Sequence, residues 1–212
     1  MRRLYLSAEP ATFADRVFVP GQAYLASLPA GMQPNFKNHA YWRSILREMH
    51  SSYGGVCAFT CHFVPLDTGS DTVEHFLPKK THPELAYTWS NYRFACGRLN
   101  GRKGLKQIVD PFEIVQGQFE IDFPSLMLSV GPHCPADQVS LSEDTIEILG
   151  LNDERCIGSR QDHVMAYCKS ETTFEYLAGK APFLASELVR LGLSDSIKQI
   201  MIERRSYPPL GI

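Results

Sequence analysis

The chain has 212 residues, 44% of them hydrophobic and 21% charged, which is enough apolar material for one ordinary globular core. Its net charge of −2 excludes a wholly basic nucleic-acid binder, and no run of about 18 apolar residues offers a membrane span. Six cysteines at irregular spacing do not form a disulfide framework, so a reduced, cytoplasmic protein is expected.

Residues 1–34 read as an irregular arm punctuated by Pro10, Pro20, Pro29 and Pro34. The opening Met1-Arg2-Arg3 is not followed by a long apolar segment, so a secretory signal is not expected. Asn35 is a plausible N-cap. His39, Trp42, Ile45, Leu46 and Met49 then follow at helical spacing, and Gly54-Gly55 closes that helix. Residues 72–77 alternate as a strand, and Pro78 and Pro83 mark a loop after it. Tyr87, Trp89, Tyr92 and Phe94 suit a second extended segment. A helix is expected to begin around Asn100, with Gly101 and Gly104 weakening it.

Phe119, Ile121 and Phe123 alternate with acids as a further strand. Gly131 to Pro135 is a loop. Ser142 is expected to cap a short helix that Gly150 closes, and Asn152 to cap a longer one through Val164 and Tyr167. Two more helices are expected near 182–191 and 194–205, and Pro208-Pro209 ends regular structure. The expected fold class is α+β, with residues 1–55 as arm and helix, 56–112 as the core unit and 113–212 as an extension packed on it.

Charge is unevenly spread. From His75 to Ile108 there are seven Lys or Arg (79, 80, 93, 98, 102, 103 and 106) against one acid, Glu84. From Asp110 to Glu154 there are ten acids and no Lys or Arg. This pattern predicts a phosphate-facing basic cleft and a separate acidic face. The same pattern would also arise from a merely bipolar surface.

The stretch 73–104 carries Glu74-His75, Pro78, Trp89-Ser90-Asn91 and Asn100-Gly101-Arg102-Lys103-Gly104 in that order. In this composite it resembles the HNH (ββα-metal) nuclease family. Flanking segments sharpen the likeness to one branch, that of the PtuB-type nucleases of Septu and retron-type anti-phage systems. They include Val73 to Lys79, Pro83 to Trp89, Asp110-Pro111-Phe112 and Thr145 to Asn152.

The resemblance implies a ββα-metal core embedded in a mainly helical domain. It implies Glu74 and Asn100 as ligands of Mg²⁺ or Mn²⁺, since hard cations take oxygen donors. It implies His75 as general base, a role suited to an imidazole near neutral pH. Asn91 would orient His75, and Lys79, Arg102 and Lys103 would meet the substrate phosphate. DNA is the implied substrate and an ATPase the implied partner protein. The alternatives are a stand-alone restriction-type nuclease and an inactive module that binds nucleic acid or a partner.

Many relatives carry two CxxC pairs that hold structural zinc. Here Cys57 and Cys96 keep two positions, while Thr60 and Leu99 occupy the others. Structural zinc is therefore not expected. Cys57, Cys61 and Cys96, with His62, are the residues a residual zinc would use.

Overall fold

A computed structural model describes residues 1–205, with side chains through Met201. The expected stop at Pro208-Pro209 lies outside the described residues. The chain is a mixed α/β structure with eight α-helices and two small antiparallel sheets among those residues.

The first 34 residues are more ordered than their prolines suggest. A π-helical stretch, Ala14–Phe18, runs into helix α1, Val19–Ala26. Pro20 falls in the first turn of α1, directly after the π-helical stretch. Gly21 follows because a side chain there would collide with the Tyr87 ring. The segment before the helix crosses the core: Leu4 N–H donates to Pro111 O at 2.9 Å, and Trp89 Nε1 donates to Ser7 O at 2.9 Å.

Asn35 does cap, but it opens only a 3-10 turn, Phe36–Asn38. The Trp42 stripe is a 3-10 turn, Tyr41–Ile45, that passes into helix α2, Leu46–Ser52. Trp42, Ile45 and Met49 are buried, as their spacing predicts.

Strand β1, Asp71–His75, pairs antiparallel with β2, Tyr92–Cys96, in a register that sets His75 opposite Tyr92 and Val73 opposite Phe94. Both α2 and the next helix, α3 (Gly97–Lys103), pack on both strands. Most residues of the pair are consequently buried rather than alternating in and out. The second strand is shorter than its aromatic pattern suggests, because Trp89–Asn91 coils as a 3-10 turn. Helix α3 starts three residues before Asn100, directly from the extended Cys96, so Asn100 lies mid-helix.

Strands β3 (Phe119–Ile121) and β4 (Leu128–Val130) form the second sheet. Helices α4 (Val139–Leu149), α5 (Glu154–Cys168), α6 (Phe174–Lys180), α7 (Pro182–Arg190) and α8 (Ile197–Arg205) complete the chain. Ser142 does not cap α4. It lies fully buried within that helix, accepting from Gln118 Nε2 at 3.0 Å. Asp153, not Asn152, caps α5 by accepting from Cys156 N–H at 2.8 Å. The Asn152 amide instead pairs with both backbone groups of Leu128.

Basic and acidic blocks do not form separate faces. Arg93, 4% exposed, grips Asp110 through two parallel bonds of 2.8 and 2.5 Å. Arg98 and Arg102 both pair with Asp153, at 2.6 and 2.8 Å. Lys103 pairs with Glu74 at 2.7 Å. Four of the seven basic side chains are thus matched by acids, three of them by the acidic block.

Candidate active site

Glu74 and His75 are neighbours on a strand, so their side chains leave on opposite faces. The Glu74 carboxylate meets α3. Its Oε1 lies 2.7 Å from Lys103 Nζ, which also donates to Phe76 O at 2.8 Å. Burial pushes the Glu74 carboxyl above its usual range, and the Lys103 ammonium opposes that shift.

The His75 ring is wedged edge-on between Trp42, at 4.5 Å, and Tyr92, at 5.1 Å. Its Nε2 lies 2.9 Å from Ala86 O. A carbonyl oxygen only accepts, so Nε2 carries the proton and Nδ1 holds the free lone pair. Burial, aided by the charge of Lys79, depresses its pKa to about 3. The imidazole is therefore neutral at pH 7, and in this unliganded state it is a weaker base than the resemblance implies.

Asn91 closes the loop that supplies Ala86. Its Oδ1 accepts from Leu77 N–H at 2.8 Å, and its Nδ2 donates to Leu77 O at 3.0 Å and Leu85 O at 3.3 Å. Asn91 thus acts on His75 through the carbonyl next to Leu85. Tyr92 Oη adds a second bond to the same carbonyl, at 2.6 Å.

Asn100 is oriented by Thr72. The Thr72 hydroxyl donates to Ala95 O at 2.8 Å, so toward Asn100 it must accept, which it does from Nδ2 at 3.0 Å. Asn100 lines a cavity of about 560 Å³. Glu74, His75, Lys79 and Lys80 line the same cavity, as do Gln33, Pro34 and Phe36.

Of the three basic residues expected at a phosphate, Lys79 lines this cavity. Lys103 is 1% exposed and bound to Glu74. Arg102 lies behind α3 on Asp153 and the carbonyls of Leu149 and Gly150. Sequence reasoning missed Lys80, Thr72, Tyr92 and the Ala86 carbonyl. A second lysine beside Lys79 was legible as part of the basic block, whereas the others act through backbone geometry that no residue pattern reveals.

Two oxygen donors, from Glu74 and Asn100, stand at one cavity. Among the described residues no group of three or more His, Cys, Asp or Glu gathers as a metal cage. Two oxygen donors are fewer than a closed metal cage uses, and the Glu74 carboxylate already holds the Lys103 ammonium at 2.7 Å.

The second ligand set does not converge in the same way. The Cys57 sulfur accepts from Cys96 N–H at 3.3 Å. Cys61, fully buried, lies against the Met1 amino group, and His62 Nδ1 sits 3.0 Å from Ser159 Oγ.

No family model matches the chain. Over 85 residues it is 33% identical to Septu protein PtuB of Bacillus thuringiensis, a stretch that is 38% of this chain. The chain covers 30% of that relative's length. The likeness supports a Septu-related protein. No helix among the described residues is long and apolar enough to cross a membrane.

Proposed function

We propose that this chain is an HNH (ββα-metal) endonuclease hydrolysing DNA phosphodiesters, the nuclease of an anti-phage defence system working with an ATPase partner. One observation carries the chemistry: a single cavity brings together Glu74, Asn100, Lys79 and a neutral His75 whose only free ring nitrogen is Nδ1. The strand–strand–helix order β1, β2, α3 supports a ββα-metal unit. The likeness to Septu protein PtuB supports the defence role.

In this reading His75 Nδ1 takes a proton from a water whose oxygen bonds to phosphorus. The P–O bond to the leaving sugar oxygen breaks meanwhile, and that oxygen gains a proton from solvent. Ala86 O holds the opposite nitrogen and so keeps the ring in that tautomer. Lys79 and Lys80 meet the phosphate charge that grows in the transition state. Glu74 and Asn100 would hold a Mg²⁺ or Mn²⁺ ion, which when bound lends positive charge to the scissile phosphate. Lys103 orients the Glu74 carboxylate through its 2.7 Å contact.

A second reading is favoured by that same contact, because an ammonium on Glu74 competes with a metal ion. In it the chain binds nucleic acid without cutting. Incubating purified protein with DNA in Mg²⁺ or Mn²⁺, with a chelator control, separates the two. Metal-dependent cleavage that is lost in His75→Ala upholds the nuclease, and binding without cleavage upholds the module.

A further inference from the structure

We infer that residues 33–36 form a base-contacting subsite, which receives an unpaired DNA base next to the scissile phosphate. This rests on the nuclease reading and names its substrate more closely. The cavity is about 560 Å³, within the range of pockets that enclose a whole small ligand, and much larger than one phosphate group requires. Its lining combines the charged and catalytic groups with a wall of Gln33, Pro34 and Phe36, from a segment far outside the 73–104 motif.

The chemistry of that wall suits a nucleobase. Phe36 is held edge-on by Tyr24, Trp42 and Tyr87, with ring centroids 6.3, 5.7 and 6.0 Å away, yet it stays partly exposed to the cavity. A ring fixed by its neighbours loses little freedom when a base packs on it, and such contacts tolerate any base. Pro34 adds a flat apolar surface. Gln33 is exposed and carries both a donor and an acceptor, as a base edge does.

Lys79 joins the walls. It lines the cavity while its ammonium sits 5.2 Å from the centre of the Trp42 ring, the ring that also touches His75. Trp42 also meets Phe36 at 5.7 Å, so a phosphate at Lys79 and a base at Phe36 would adjoin the same indole ring. A base stacked within a duplex hides both faces, so the occupant is a single-stranded or flipped nucleotide.

The test uses the intact chain, two probes and two variants. The probes are a fluorescent single-stranded oligonucleotide, read by anisotropy, and bis(p-nitrophenyl) phosphate, a diester with no base, read by hydrolysis. Phe36→Leu keeps apolar packing but removes the aromatic face, and Gln33→Ala alters an exposed side chain. Phe36→Leu should weaken oligonucleotide binding about tenfold, within the stacking range measured elsewhere. Gln33→Ala should weaken it by less. Phe36→Leu should weaken oligonucleotide binding by a clearly larger factor than it lowers hydrolysis of the small diester, and an abasic oligonucleotide should bind wild type as weakly as the intact one binds Phe36→Leu.

Unchanged oligonucleotide affinity in Phe36→Leu would overturn the subsite, and so would an equal loss on both probes. A wild type that binds with the stated Phe36 dependence but hydrolyses neither probe upholds the subsite and overturns the nuclease reading. Hydrolysis without Phe36 dependence does the reverse.

Discussion

Helix α3 presents two stripes with opposite duties. Asn100 and Lys103, three residues apart, face β1, where they bind Thr72 and Glu74. Arg98 and Arg102, four apart, face the C-terminal helices, where both grip Asp153. Four polar residues within one short helix thus divide into a pair that shapes the cavity and a pair that fastens the helix from behind. The difference teaches that a run of basic residues in a sequence does not reveal which charges remain free. The cavity keeps Lys79 and Lys80, which do not come from α3 at all.

The front stripe should be the costlier to break. Lys103→Met would leave the 4% exposed Glu74 without its partner, a change expected to cost about 3–5 kcal/mol by chemical denaturation. Adding Glu74→Gln should recover much of that loss, since no buried charge then lacks a counter-ion. If the single variant were as stable as wild type, the pair would not hold α3 to β1.

Behind the helix, Asp153→Ala removes a helix cap and two partly exposed ion pairs together. The expected loss is about 1–2 kcal/mol, most of it from the cap. Restoring a cap with Asp153→Ser should return part of the stability but neither ion pair. Equal recovery by Ser and by wild-type Asp would show that the arginines contribute nothing.

The rear packing also carries a pH signature. His62, against Ser159 and His163, is held down to about 3, first by burial and then by His163 and Arg160. An exposed imidazole in the unfolded chain titrates at 6.5. Below that value the unfolded chain binds a proton that the folded chain refuses until about pH 3, so stability falls as pH drops through that window. Melting temperature should decline less steeply across it in His62→Gln than in wild type. Identical slopes would place the acid sensitivity elsewhere.

Sequence pattern picked out candidate residues that share one cavity, but it did not pick out their supports. Glu74, His75 and Asn100 do line one cavity, because strand β1 and helix α3 are short, adjacent elements whose order alone brings them together. The failures share a cause: the responsible partner is distant in sequence. Helix α1 was hidden by Pro20 and Gly21, residues that make sense only once Tyr87 is seen packed on the helix. Asp153 rather than Asn152 caps α5, because Asn152 is engaged by Leu128. The basic block looked free because Asp110 and Asp153 lie outside it.

The smallest expected effect belongs to the free lysines. Lys79→Ala and Lys80→Ala should each lower the dependence of DNA affinity on log salt by about one. Arg102→Ala should leave that slope unchanged, since its charge is already matched by Asp153. Equal slopes for all three would erase the distinction between front and rear charges.

The central claim, that His75 is a base and not merely a well-packed core ring, has a direct test in paired measurements on His75→Ala. Thermal melting and DNA cleavage rate would be read on the same preparation. His75→Ala should lose a factor on the order of 10²–10⁴ in rate, the usual effect of removing a general base. Binding should persist, because Lys79, Lys80, Glu74 and Asn100 stay in place. A variant that melts as wild type does and still cuts DNA at an undiminished rate would contradict it.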